Sequence, residues 1–248
     1  MRKISWTLFF IVSLSVFAIG AHAGINDGLV AYYPFNGNAN DESVNENHGI
    51  VYGATLANDR FGNENSAYYF DGVDDYIDIG NDSSLKPPLP VTISAWVYTN
   101  STNDCRAIFK NNHTSDRYHG VFLQAGIERV SAHFGDGGVT SPQSRRSFSS
   151  NGFQMADKWY HVVAVIRGSL DFEIYVNGSP ITGTYTGSGG TISYNSSSGR
   201  IGMHDCDTVW PDYYFSGVID DIRFYNRGLS ADEINELYNF QVPDLSTG

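Results

Sequence analysis

Asp220 and Asp221 stand side by side in the run Phe215-Ser216-Gly217-Val218-Ile219-Asp220-Asp221-Ile222-Arg223-Phe224-Tyr225, and carboxylates set among apolar residues need a partner wherever they turn inward. On a regular strand neighbouring side chains point to opposite faces, so only one of the two acids is expected to face inward. Calcium is one partner for it; Arg60 or Arg223 is the other. Asp41, Ser43, Asn45 and Asn47 place oxygen-bearing side chains at alternate positions, a spacing that lets a looping backbone turn several of them onto one hard cation. Glu46 stands where an EF-hand needs glycine and Tyr52 where it needs a closing Glu, so a complete EF-hand is excluded. The expectation is a structural calcium ion held by the 41–47 loop and closed by Asp220 or Asp221. The competing reading is an Asn-rich turn capped by its own side chains. Asp71, Asp74 and Asp75 read as a solvated acidic turn.

A second constellation depends on where the chain folds. Arg2 and Lys3 precede an apolar stretch from Ile4 to Ile19, and Ala21-His22-Ala23 offers small residues for cleavage. Residues 1–23 therefore read as an export signal and residues 24–248 as one exported domain. The apolar stretch is too short and interrupted for a membrane span, and no second one follows. In an oxidising compartment the two cysteines, Cys105 and Cys206, are expected to pair. Closing a loop of about a hundred residues is worth roughly 4–5 kcal/mol before strain. That link would bring Asp104 beside His204, Asp205, Asp207 and Trp210, with Arg117 and Tyr118 on a neighbouring connection. Acids for hydroxyl groups and aromatic faces for sugar rings are what a glycan site uses. An aromatic-rich loop packed on the edge of the domain is the alternative.

The chain carries a net charge of −12, which repels phosphate backbones and argues against nucleic acid as a partner. Retaining glycosidases need two carboxylates about 5 Å apart, hence spaced by two on one strand face. No Glu-x-Asp-x-x-Glu run, Gly-x-Ser-x-Gly elbow or His-Glu-x-x-His helix occurs, so no catalytic residue is assigned. Trp96, Trp159 and His161 sit among apolar strand residues and read as core, and Arg145-Arg146 as an exposed loop.

The elements that must position these residues are short strands. Candidates run over 29–35, 67–70, 76–79, 91–98, 106–110, 121–125, 129–134, 159–167, 171–176, 200–203 and 218–225. In the last of them Val218, Ile222 and Phe224 share one parity and Ile219, Arg223 and Tyr225 the other. Asn177-Gly178 predicts a tight hairpin turn. Ser230 with Glu233 is a capping box, so a short helix closes the domain. The Gly/Ser/Thr-rich stretch from Thr182 to Ser198 reads as a long mobile connection. This many short strands in one domain means two packed antiparallel sheets.

Three stretches resemble the opening of laminin G-like jelly-roll domains of the concanavalin A-like lectin/glucanase superfamily: Tyr32 to Asp41, Asn45 to Gly49 and Phe70 to Ile77. Thr92 to Val97, Trp159 to Val162 and Tyr175 to Gly178 resemble that family's middle strands, and Phe215 to Glu233 its end. The resemblance implies an all-β, two-sheet antiparallel sandwich, a concanavalin A-like jelly roll with a short C-terminal helix. It also implies frequent calcium and the binding of glycans or proteins outside cells. The resulting expectation is a secreted, calcium-stabilised lectin-like domain that recognises an extracellular glycan or glycoprotein through its edge loops. A protein-binding adhesion or assembly module is the alternative. A carbohydrate-active enzyme without a recognisable motif is the third.

Overall fold

A computed structural model describes residues 24–99, 106–112, 118–126, 128–138, 143–151, 155, 157–204 and 213–240. In chain order its first nine strands are β1 (Leu29–Tyr33), β2 (Ile50–Tyr52), β3 (Thr55–Ala57), β4 (Ala67–Asp71), β5 (Tyr76–Asp78), β6 (Val91–Tyr98), β7 (Arg106–Lys110), β8 (Val121–Gly126) and β9 (Arg129–Gly135). The next five are β10 (Arg145–Ser150), β11 (Trp159–Gly168), β12 (Asp171–Val176), β13 (Ser179–Ile181) and β14 (Gly183–Gly187). They are followed by β15 (Arg200–Ile201), β16 (Met203–His204), β17 (Tyr213–Tyr214) and β18 (Ser216–Tyr225), and by an α-helix, α1 (Ala231–Asn239).

The first sheet runs β13-β12-β11-β6-β18-β4-β3, with β1 also on β18; the second runs β14-β10-β9-β8-β7-β15-β5-β2. Neighbouring strands run antiparallel, and at the centre of the first sheet β11 and β6 stay in register from Trp159↔Tyr98 to Ile166↔Val91. Period-2 alternation builds the core between the sheets: Ile93, Ala95 and Val97 of β6 and Val162, Ala164 and Ile166 of β11 share one buried cluster with Val121, Leu123, Val130 and Ala132 of the second sheet. Both faces of β6 are buried, because α1 covers the outward side. Its Ile234 and Leu237 pack on Val163, Val165, Tyr175 and Tyr225. The capping box forms as expected, Ser230 accepting from the Glu233 amide and Glu233 from the Ser230 amide.

Two readings of the sequence change here. Arg145 and Arg146 open β10, a paired strand, and the stretch read as a connection contains β14, paired with β10 from Arg146↔Gly187 to Ser150↔Gly183. Each strand carries only one large apolar side chain among Arg, Ser, Thr and Gly, so no sustained hydrophobic alternation marks them; the contact of Phe148 with Tyr185 at 4.8 Å anchors their pairing. Trp96 and His161 are buried, but on the outward face of the first sheet under α1, stacked on Tyr238.

The hairpin between β12 and β13 turns on Asn177 and Gly178, whose φ values are 50° and 74°, the left-handed pair of a type I′ turn. A Cβ at Gly178 would lie 2.6 Å from Asn235 Oδ1 of the helix. Gly178→Ala is expected to lower stability by about 1–2 kcal/mol, measured as a reduced urea midpoint with unchanged slope.

Candidate functional site

Asp220 and Asp221 interrupt β18 where it changes neighbours. Residues 216–219 pair with β4 and residues 222–225 with β1 along the same edge. The register slips between Asp220 and Arg223, and Asp221 adopts a positive φ of 53°. This bulge resets the alternation, so Ile219 and Ile222 both face the core. The expectation that the two carboxylates face apart is thereby corrected: both meet Arg60, Asp220 Oδ2 at 2.7 Å and Asp221 Oδ2 at 3.0 Å. Arg223 Nη1 lies 3.0 Å from Asp221 Oδ1, and its guanidinium sits 4.1 Å from the Tyr32 ring centre. Burial and the Asp221 charge push the Asp220 carboxyl up to about 8, with Arg60 pulling it down. Burial, then the charges of Arg223 and Arg60, holds His161 neutral down to about 3.

The Asp41 loop is a separate network. Asp41 accepts from the amides of Tyr32, Ser43 and Asn47 and from the Ser43 hydroxyl. Asn45 Nδ2 donates to the Val30 carbonyl, the single Ser43 hydroxyl proton is shared between that carbonyl and Asp41 at 2.9 and 3.0 Å, and Asn47 Nδ2 donates to Ser84 Oγ. The loop is thus stitched to β1 by its own side chains. These donors do not fit a calcium ion shared by Asp41 and Asp220: protein N–H and O–H groups already point at the Asp41 carboxylate, and guanidinium groups at the other two acids. Among the described residues, the acids gathered within 4.8 Å of one another are Asp71, Asp74 and Asp75. There Asp71 accepts from the Val73 amide and Asp75 from the Asp71 amide, which folds the turn.

The outward face of the second sheet carries a polar row. His133 Nδ1 meets Ser147 Oγ at 2.7 Å and its Nε2 meets Gln124 Oε1 at 2.9 Å. Gln124 Nε2 lies 3.1 Å from a ring nitrogen of His204. Phe122 stacks between the two imidazoles, 4.3 Å from His133 and 5.8 Å from His204. These side chains are buried. Toward the β2 edge the face opens onto an aromatic platform. The rings of Tyr52 and Tyr76 stack at 4.6 Å and 13°, the Arg200 guanidinium lies 4.4 Å from Tyr76, and Asp78 accepts from Ser198. Tyr52 is 46% exposed.

Of the residues expected to bind a ligand, His204 joins this row, and Tyr118 lies at its rim, its carbonyl accepting from the Gly137 amide. Asp104, Arg117, Asp205, Asp207 and Trp210 lie outside the described residues, as do Cys105 and Cys206. Tyr52, Tyr76 and Arg200 carry no signal as ligand contacts in the sequence. They come from three strands far apart in the chain, and only the pairing of β2, β5 and β15 brings them together.

A family model described as the concanavalin A-like lectin/glucanases superfamily, Laminin G 3, matches residues 70–235. The chain belongs to this superfamily. Its jelly-roll neighbours include domain 4 of AbnA, a GH43 extracellular arabinanase from Geobacillus stearothermophilus solved with arabinotriose (TM-score 0.61, 19% identity, 85% of this chain and 98% of that one). The binding domain of botulinum neurotoxin serotype C1 is similar at TM-score 0.60 and 15% identity, over 87% of this chain and 52% of that one. At such identities the likeness is one of fold. In sequence, adhesion G-protein coupled receptor V1 of Danio rerio is 29% identical over 153 residues, 60% of this chain and 2% of the receptor. The superfamily member described here therefore spans only a small part of that relative.

Two outcomes follow from the ionisable groups. Asp220 holds its proton to about 8 in the fold against an ordinary 3.8, so its contribution is full below pH 4 and is lost as pH rises to 8. His161, at about 3 against 6.5, contributes above pH 6.5 and loses its contribution as pH falls. The slopes oppose one another between pH 4 and 6.5, and Asp220 acts alone above that. The urea midpoint is expected to fall between pH 6.5 and 8, and Asp220→Asn to flatten the fall. Asp41→Ala, which strands buried donors, is expected to cost about 1–3 kcal/mol, while excess EDTA leaves the thermal midpoint of the parent protein unchanged. A drop of several degrees with EDTA would mean that a bound cation stabilises the fold.

Proposed function

We propose that this protein is an extracellular glycan-binding domain whose sugar-contacting surface is the open end of the second sheet's outward face. The observation that carries the reading is the platform of Tyr52 and Tyr76 with Arg200 and Asp78 beside it. One face of Tyr52 is held by Tyr76, and the exposed remainder of the ring can stack on the C–H face of a sugar. Asp78 and Arg200 supply an acceptor and donors within the same patch, the sparse polar pattern by which sugar hydroxyls are recognised. The solved neighbours support this reading, since one is in complex with arabinotriose and another, a binding domain of botulinum neurotoxin DC, in complex with SialylT. Extracellular placement rests on the signal-like residues 1–23 and on the likeness to an adhesion receptor. Among the described residues no helix is long and apolar enough to cross a membrane.

Binding is favoured over catalysis by the state of the most prominent acid pair. Asp220 and Asp221 are both engaged by Arg60, which leaves neither placed as the nucleophile or acid that glycoside cleavage requires. The likeness to the adhesion receptor favours, as a second reading, a protein partner on the same surface.

A glycan array probed with the purified domain is expected to give at least one sugar class. Tyr52→Ala should weaken that binding roughly tenfold, about 1.4 kcal/mol. Tyr69→Ala, at a similarly exposed position on the first sheet, should leave it unchanged. A blank array, or equal losses from both variants, would overturn the assignment.

A further inference from the structure

The turn that leads into β1 is held on every side. The Gly24 amide donates to Asp27 Oδ2 at 2.9 Å, and the Asp27 amide donates back to the Gly24 carbonyl at 2.9 Å. Arg227, just past the end of β18, grips the same turn: its Nη2 donates to the Gly24 carbonyl at 3.0 Å and its Nε to the Asp27 carbonyl. The Asn226 amide donates to the Gly28 carbonyl at 2.9 Å, and Ile25 packs against the small core beneath α1. Residues 24–28 are thus fastened to the connection between β18 and α1.

The Gly24 nitrogen stands directly after Ala21-His22-Ala23, small residues at the two positions read before a leader is cut. The sequence offers a second small-x-small triplet, Ala18-Ile19-Gly20. We propose that the chain is cut between Ala23 and Gly24, and that Asp27 is the docking site of the α-ammonium which the cut creates. The inference rests on reading residues 1–23 as an export leader and goes beyond it by assigning the new terminus a partner. In the cut, made by a leader-removing endoprotease, the Ala23 carbonyl carbon loses its bond to the Gly24 nitrogen. The oxygen of water joins that carbon and both its protons end on the nitrogen, giving a carboxylate on the released leader and an ammonium on the domain.

The contacts at Gly24 distinguish the two triplets. A cut after Gly20 leaves three residues ahead of Gly24 and keeps its nitrogen a neutral amide. A cut after Ala23 places the new positive charge on an atom that already points at a carboxylate 2.9 Å away, so a neutral donor becomes a charge-assisted one with no change of position. The cation in the turn, Arg227, does not oppose this unpaired, because Glu233 Oε1 lies 2.6 Å from its Nη2. Processing thereby completes the turn with an ion pair that the uncut chain lacks.

The test uses the whole chain, labelled with 13Cα-glycine and exported by a bacterial host. Intact mass of the exported protein is expected to place its first residue at Gly24. The Gly24 13Cα signal then follows the titration of the α-amine, whose midpoint is expected about half a unit or more above the ordinary 7.7–8.0, because a facing carboxylate favours the charged form. Asp27→Asn keeps an acceptor oxygen, removes the charge, and is expected to return the midpoint to the ordinary range. Export with a first residue other than Gly24 would overturn the inference and leave the export reading standing, whereas retention of residues 1–23 would overturn both. A midpoint in the ordinary range, or a raised one that Asp27→Asn leaves in place, would overturn the docking role of Asp27. None of these outcomes depends on the Tyr52 platform, which its own array judges.

Discussion

A single strand, β18, has two partners along one edge, and the sheet can be continuous only if the gap between them is filled. Where β4 hands over to β1, the bulge at Asp220 and Asp221 leaves the ladder interrupted. Arg60 enters from the loop between β3 and β4 and bonds both carboxylates, and Arg223 closes the far side against Asp221. Buried charges of this kind contribute little net stability, yet removing one partner strands the others and is costly, about 3–5 kcal/mol. The cluster therefore acts less as glue than as a constraint: it fixes which residues of β18 face β4, which face β1, and where the 58–65 loop must dock. The position of Phe61 and the end of α1 follows from it, since Arg60 also bonds the Phe240 carbonyl.

The two sheets use their outward faces differently. The first hides its outward face beneath α1, whose Ile234 and Leu237 make a second small core, and leaves an aromatic groove where the helix ends. The second has no α-helix over it among the described residues; its outward side chains Ser147, His133 and Gln124 bond one another, and Gln124 meets His204 of the small β16-β17 sheet. Fully paired polar rows are stiff and costly to disturb, which gives the exposed tyrosines at the β2 end a rigid base. Side chains thus lose their cover at the ends of each face, where a strand or a helix stops.

The fold was legible wherever hydrophobic alternation survives. β6, β7 and β12 fall on the residues that periodicity marks, and the Asn177-Gly178 turn and the Ser230 capping box form as their residue types require. β10 and β14 were illegible because each carries a single aromatic, Phe148 and Tyr185, among Arg, Ser, Thr and Gly, and their pairing rests on a partner far away in the chain. The candidate sites were harder still. Parity along β18 places Ile219 and Ile222 on opposite faces, and no local signal announces the positive φ at Asp221 that brings them to the same one. Arg60 was visible as a possible counter-charge, whereas Tyr52 and Tyr76 converge only through the register of two three-residue strands. Alternating oxygens at 41–47 suggested a cation loop; the same alternation lets the loop reach back to β1.

That loop has a consequence for how copies of the domain meet. A strand with a free rim of amides and carbonyls is a template on which another polypeptide can add itself. On β1 the rim is already taken: the Tyr32 amide donates to Asp41 and its carbonyl accepts from the Glu42 amide, while the Val30 carbonyl accepts from Ser43 and Asn45. A neighbouring molecule meets these three groups already bonded within the domain. The domain can consequently be crowded at a surface, or strung in series with others of its kind, without that side of the first sheet extending from one copy into the next.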